Sequence, residues 1–219
     1  VYLTQDATPA NDQWLGELVR SIESTPGAAG AYSRWLCRPE GHILEKIWIN
    51  KIFPGSPRIQ KMTPGTHDLT KNQNRELIFF SNVSACIRKD AWKNIHFCDD
   101  AGFAEDQLWA KQVTRAGYSI IYAASSEIYH SHHDSWRICA KRSFESGIAF
   151  GRMSEARKAP APISFSEIFH SFVNEGRERG RGVFGICALF AEAACRHVIG
   201  EVFGLAGFYF GMILRVFKK

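Results

Sequence analysis

The 219-residue sequence is short of the patterns that would assign it at once. Its six cysteines, Cys37, Cys86, Cys98, Cys139, Cys187 and Cys195, form no C-x-x-C pair and no zinc-ligand spacing, which excludes a zinc ribbon and a disulfide scaffold. They read as small buried hydrophobes in a reducing compartment. No Lys/Arg stripe interleaves with aromatics, so no nucleic-acid partner is expected. There is no internal repeat and no low-complexity tract. The longest uncharged apolar run, residues 202–214, is shorter than the roughly 20 residues that a bilayer-spanning helix requires. The opening Val1-Tyr2-Leu3-Thr4 has no charged n-region and reads as a strand caught in mid-fold, so the chain is expected to start after an upstream segment of the same domain.

What is present fits a globular protein. Hydrophobic residues make up 45% and charged residues 22%, enough for a real core. The net charge of +5 and pI near 8.9 suit an anionic partner such as a nucleotide diphosphate or an acidic lipid surface, or merely a solvated basic face.

Strand and helix signals alternate. After the 1–4 strand and a turn at Pro9, Asp12 is placed to cap a helix bearing Trp14, Leu15, Leu18, Val19 and Ile22 at helical spacing, stopped by Pro26-Gly27. Residues 28–37 read as a strand and 38–76 as a long irregular excursion. A strand over 83–87, a short helix over 90–94, a helix over 104–116 ended by Gly117, and strands over 118–122 and 127–130 follow. This alternation predicts an α/β fold. Lys158-Ala159-Pro160-Ala161-Pro162 reads as a hinge, Ser164 opens a helix, and a glycine-broken basic run over 176–182 precedes the apolar stretch 183–217. That stretch is expected either to lie in a membrane interface, with Arg215, Lys218 and Lys219 toward lipid phosphates, or to form a helical pair packed on the catalytic domain.

Three groups of residues carry candidate chemistry. In Gln5-Asp6-Ala7 a carboxylate just past a strand end faces the crevice where α/β sheets bind ligands, and could hold Mg²⁺ or Mn²⁺; a plain turn aspartate is the alternative. Glu105-Asp106, followed by Gln107, opens a helix, where acidic residues serve as caps or as a general base. Tyr129-His130-Ser131-His132-His133-Asp134 sets three imidazoles at a strand end, with His130 and His132 on one side by strand alternation. His133 reads as part of an exposed turn.

Taken in order, these segments resemble a known family. Leu3-Thr4-Gln5-Asp6-Ala7-Thr8-Pro9 with Trp14-Leu15, then Phe80-Ser81-Asn82-Val83-Ser84-Ala85 and Arg88-Lys89-Asp90-Ala91-Trp92, are similar to the rhamnosyltransferase-like branch of family 2 glycosyltransferases. So are Phe103-Ala104-Glu105-Asp106-Gln107, Trp109-Ala110-Lys111, Ala116-Gly117-Tyr118 and Tyr129-His130-Ser131-His132. The resemblance covers about residues 1 to 150.

It implies a GT-A fold, a mixed sheet flanked by helices. Residues 1–157 would be its metal and acceptor half; 158–219 are expected to be a helical tail, either membrane-associating or packed on the domain. It also implies inverting transfer of rhamnose or a related sugar from a nucleotide-diphosphate donor to a polysaccharide or lipid-linked acceptor, in the cytoplasm at the inner face of the membrane. Within it, Asp6 and His130 would hold Mg²⁺ or Mn²⁺, Gln5 would flank the donor, Asp106 would be the general base, and Glu105 would orient base or acceptor. Ser81, Asn82 and Gln107 would line the acceptor side. The family's strand-helix-strand nucleotide-binding start has no counterpart here. Two other readings stay open: a metal-dependent hydrolase built on His130, His132 and Asp134, and a non-catalytic membrane-peripheral fragment.

Overall fold

Ala28–Leu36 (β3) is buried over its first six residues, all without charge and only Ser33 bearing an aliphatic hydroxyl, as suits a strand covered on both faces. It is the centre of a mixed sheet in the computed structural model, which describes residues 1–62, 77–98, 104–132, 134–153, 164–178 and 183–217. Tyr2–Leu3 (β1) pairs antiparallel with Ser84–Ile87 (β5), β5 pairs antiparallel with β3, and β3 runs parallel to Ser119–Tyr129 (β6). Thr8–Pro9 (β2) and Arg58–Lys61 (β4) each add antiparallel to β6.

Side-chain alternation along β3 and β6 divides the core into two layers. Ala28, Ala31, Ile121 and Ala123 face helix α1 (Trp14–Glu23), which buries Leu18 and Ile22 against them. Tyr32 and Tyr122 point the other way, into an aromatic layer with Phe53, Phe79 and Phe80; Trp109 of helix α4 (Glu105–Arg115) extends it through Phe80. The Trp109 indole N–H donates to Ile95 O at 2.8 Å, so this large ring is buried without an unpaired donor.

The helices and strands differ from the sequence reading at identifiable places. Helix α1 is capped from Gln13, and Asn11 Oδ1, not Asp12, accepts the Gln13 N–H. The excursion 38–76 holds helix α2 (Ile43–Ile52) and β4; residues 63–76 lie outside the described part. A short helix α3 (Lys89–Asn94) falls where expected, and Gly117 ends α4 at φ +92°, a conformation glycine adopts freely. The two strands expected over 118–130 are one strand. Its register against β3 jumps between Ser33↔Ala123 and Arg34↔Glu127, so residues 124–126 bulge out of the ladder.

Residues 1–36 and 53–130 form one compact unit, and 37–52 with 131–219 form a second. In the second unit, α2 and helix α5 (Trp136–Met153) pack with the C-terminal helices. Within the second unit, Ile43, Leu44 and Ile47 of α2 meet Ile168 and Phe172 of helix α6 (Phe165–Glu178), with Phe190 and Ala193 of helix α7 (Val183–Phe217). Helix α6 opens on a capping box: Ser164 Oγ accepts the Glu167 N–H at 3.1 Å and Glu167 Oε2 accepts the Ser164 N–H at 2.6 Å. That N–H, with Lys51 Nζ at 3.0 Å, pulls the Glu167 carboxyl down to about 2.

Helix α7 is one continuous helix of 35 residues, not a pair. Its segment Phe190–Leu214 is long and apolar enough to cross a membrane, because its few charges are spread out. Cys187 and Cys195 are exposed on it, and the other four cysteines are half-buried. The reading of all six as buried therefore fails, since much of α7 has no cover. The 158–162 hinge, residues 179–182, Lys218 and Lys219 lie outside the described residues, and the side chain of Arg215 is not described.

Candidate functional site

The register of the sheet gathers the candidate residues of the first unit along one edge. Leu3 pairs with Ser84 and the Thr4 N–H donates to Val83 O at 2.9 Å, so the Asp6 turn and Asn82 leave the sheet side by side. Thr8 pairs with Tyr129 and the His130 N–H donates to Leu36 O at 3.0 Å, which brings the far end of the same turn to the carboxyl ends of β3 and β6. That edge is where open α/β sheets bind their ligands.

At this edge Asp6 Oδ1 stands 3.8 Å from His130 Nδ1. His130 is 4% exposed, its ring edge-on to Trp35 with centroids 4.5 Å apart, whereas the Asp6 carboxylate is half exposed. A carboxylate oxygen and an imidazole nitrogen form a donor pair suited to a divalent cation, with Mn²⁺ tolerating the nitrogen better than Mg²⁺. Neighbouring ligands of an octahedral ion of this size stand about 3 Å apart and opposite ones about 4 Å, so the 3.8 Å spacing lies between the two and a small turn of the exposed Asp6 side chain would bring both atoms onto one ion. Gln5 is exposed on the turn closed by the Ala7 N–H donating to Thr4 O.

The second cluster sits at the start of α4. Asp106 Oδ2 accepts the Asn82 backbone N–H at 3.3 Å, and its Oδ1 accepts the Gln107 N–H at 2.7 Å. The Asn82 amide Nδ2 stands 3.5 Å from Glu105 Oε1. Two N–H donors would ordinarily hold a carboxyl low. Here burial first, and the neighbouring Glu105 carboxylate second, outweigh them and push Asp106 up to about 6. A carboxyl poised there is ionised at neutral pH and basic enough to accept a proton. Ser81 is buried and its hydroxyl accepts the Val83 N–H at 3.3 Å.

Two features of the site have no sequence signal. Ala104, immediately before Glu105, has φ +86°, the only non-glycine residue at positive φ among those described. For alanine this left-handed conformation costs on the order of 1 kcal/mol, and such strain collects at functional sites. Behind the Asp6 turn, Ser33, Ser84 and Ser126 form a buried hydroxyl chain, with Ser33 Oγ 2.7 Å from Ser84 Oγ and 2.8 Å from Ser126 Oγ. The 124–126 bulge delivers Ser126 to it.

The remaining histidine candidates are described unit by unit. His130 belongs to the first unit; His132 belongs to the second, where its N–H donates to Glu45 Oε1 at 2.8 Å. Asp134 is paired there with Arg142 at 3.1 Å. His133, Gly102 and Phe103 lie outside the described residues.

Over 149 residues the chain is 29% identical to the O-antigen chain rhamnosyltransferase WbaN of Salmonella anatum and 27% identical to the O-antigen chain rhamnosyltransferase RfbN of Salmonella typhimurium. Each alignment takes in 68% of this chain, but only 45% and 46% of the relatives, so the chain spans less than half of their length. No protein-family model matches the chain, and no solved structure is significantly similar to it.

Proposed function

We propose that the chain carries the metal and acceptor half of an inverting glycosyltransferase of the family 2, GT-A type, which moves rhamnose or a related sugar from a nucleotide-diphosphate donor onto a glycan or lipid-linked acceptor. The carrying observation is Asp106: a carboxyl raised to about 6, held by the Asn82 and Gln107 N–H groups, on a chain similar to two rhamnosyltransferases. The sheet-edge pair Asp6 and His130 supports the same reading.

In this reading Asp106 takes the proton from the acceptor hydroxyl as its oxygen attacks the anomeric carbon on the face opposite the diphosphate. The C1–O bond to the diphosphate breaks and the configuration inverts. One base suffices, because a diphosphate leaves as an anion without protonation, whereas glycoside hydrolysis needs a second carboxyl to protonate its leaving group. Glu105 sets the basicity of Asp106 through its charge and holds the Asn82 side chain toward the acceptor side. Asp6 and His130 would hold Mg²⁺ or Mn²⁺, whose charge stabilises the departing diphosphate when bound. Gln5, Ser81 and Gln107 would contribute at the rim, Gln5 beside the donor and the other two on the acceptor side. Such an enzyme works in the cytoplasm at the inner face of the membrane.

Calorimetric titration of the chain with thymidine or uridine diphosphate, with and without Mn²⁺, tests the donor side. Binding that requires Mn²⁺ and disappears in Asp6→Ala is expected. Equal binding by Asp6→Ala, or binding indifferent to chelator, removes the metal from this reading.

A further inference from the structure

Helices α5 and α7 run parallel and touch backbone to backbone. A Cβ on Gly147 would collide with Gly204 O, one on Gly151 with Phe208 O, one on Gly207 with Phe144 O, and one on Gly211 with Ile148 O. Glycine at these four places is what lets the axes approach so closely. Such seams of small residues hold helices together where burying large side chains against each other brings no gain, as in lipid.

The consequence for α7 is that its large side chains are left outside the seam. Val198, Val202, Leu205, Tyr209, Phe210 and Ile213 are each between 47% and 58% exposed. Most of them recur at i, i+4, i+7 and i+11 from Val198, so they line the side of α7 turned away from the glycines. Most of the Phe190–Leu214 segment is not buried. At 1.5 Å per residue its 25 residues extend about 37 Å, more than the roughly 30 Å of a bilayer's hydrocarbon core. An apolar face of this extent does not remain in water without a partner.

Charge selects the partner. Helix α5 carries Arg137, Lys141, Arg142 and Arg152 against the single acid Glu145, and the sequence continues past Leu214 with Arg215, Lys218 and Lys219. Five charges in 18 residues keep α5 out of a hydrocarbon core. A basic helix clamped along an apolar one matches a membrane surface with anionic headgroups. We infer that the α5–α7 pair is a monotopic membrane anchor: the Val198–Ile213 face of α7 enters the acyl region of an anionic leaflet, and α5 stays at headgroup level.

The whole chain is tested by flotation with vesicles of phosphatidylethanolamine and phosphatidylglycerol, beside vesicles of phosphatidylcholine alone. The chain is expected to float with the anionic vesicles and much less with the neutral ones. The double variant Leu205→Glu/Ile213→Glu, altered only at exposed positions, should partition at least about tenfold less while keeping its helical circular dichroism. A chain that stays at the bottom with anionic vesicles overturns the inference, as does a double variant that floats like the parent. Sedimentation velocity without lipid covers the competing occupant: a dimer lost in the double variant, together with no flotation, would assign this face to a second copy. No sugar donor enters any of these measurements, so their failure leaves the transferase reading as it stands.

Discussion

The Trp14 indole N–H donates to Ser84 Oγ at 2.8 Å while the Trp14 carbonyl accepts from Ser126 Oγ at 2.9 Å, so one residue closes both ends of the buried serine chain. Each hydroxyl has a single proton, which fixes the direction of every link. Ser126 spends its proton on the Trp14 carbonyl, so Ser33 must donate to Ser126, and Ser84 to Ser33. The ring ties the start of α1 to β3, β5 and the β6 bulge, and thereby holds the turn bearing Asp6 against the sheet edge. Ser33→Ala cuts the ring in the middle and leaves one hydroxyl short of an acceptor and one short of a donor. Denaturant unfolding should show a loss of about 1–3 kcal/mol. A change below about 0.5 kcal/mol would mean that the ring does not hold the turn.

The pH profile of transfer follows from Asp106. Its acidic form cannot accept the acceptor's proton, and its carboxyl is raised to about 6. The value of kcat/KM should therefore fall about tenfold per unit below pH 6, where an unperturbed aspartate would stay active to about pH 4. Glu105 is the second cause of the rise, so Glu105→Gln should move the acid limb to lower pH. An acid limb that stays in place in Glu105→Gln would uncouple the two carboxyls.

Local pattern made some of this legible and tertiary contact hid the rest. Leu18 and Ile22 announce α1 because both face Ala28, Ala31, Ile121 and Ala123 at a helical period. Asp6, Asp106 and His130 stand out in the sequence as candidates because each follows a strand or opens a helix. Helix α2 was not, since Ile43, Leu44 and Ile47 bury against Ile168 and Phe172, more than a hundred residues away, and its own apolar pattern is weak. The strand Arg58–Lys61 carries charges at both ends and owes its existence to the edge of β6. The serine ring is invisible because 51 and 93 residues separate its members from Ser33, and serine is common on any surface.

Ala104 offers a test that leaves every side-chain contact of the site in place. Its φ of +86° is unfavourable for any residue with a Cβ and open to glycine. Glycine also raises the entropy of the unfolded chain, which offsets part of the relief. Ala104→Gly should stabilise the fold by about 0.5 kcal/mol in denaturant titrations. If the left-handed residue is what aims Glu105 and Asp106, transfer should fall in the same variant, because the freer backbone no longer fixes them. A more stable variant with full activity would confine Ala104 to a structural role.

Asp106→Asn joins stability to function. Burial and the Glu105 charge disfavour the ionised carboxylate, so the folded chain holds a proton on Asp106 at pH values where the unfolded chain has lost it. Stability therefore declines as pH rises from about 4 through about 6 and levels off above that. Asparagine has the same shape and no charge, so it escapes the decline. Escaping the decline contributes about 3 kcal/mol at pH 8 and little at pH 4. The amide gives back about 1–2 kcal/mol of this as a poorer acceptor for the Asn82 or Gln107 N–H, so the variant should be more stable than the parent by about 1–2 kcal/mol at pH 8 and no more stable at pH 4. Transfer by the same variant, in this chain or any longer product containing it, should drop by about 10²–10⁴-fold, since no base remains to take the acceptor's proton. The two readouts must move in opposite directions. A variant that loses both stability and activity at pH 8 would make Asp106 a cap of α4, and one that gains stability with activity intact would remove it as the base.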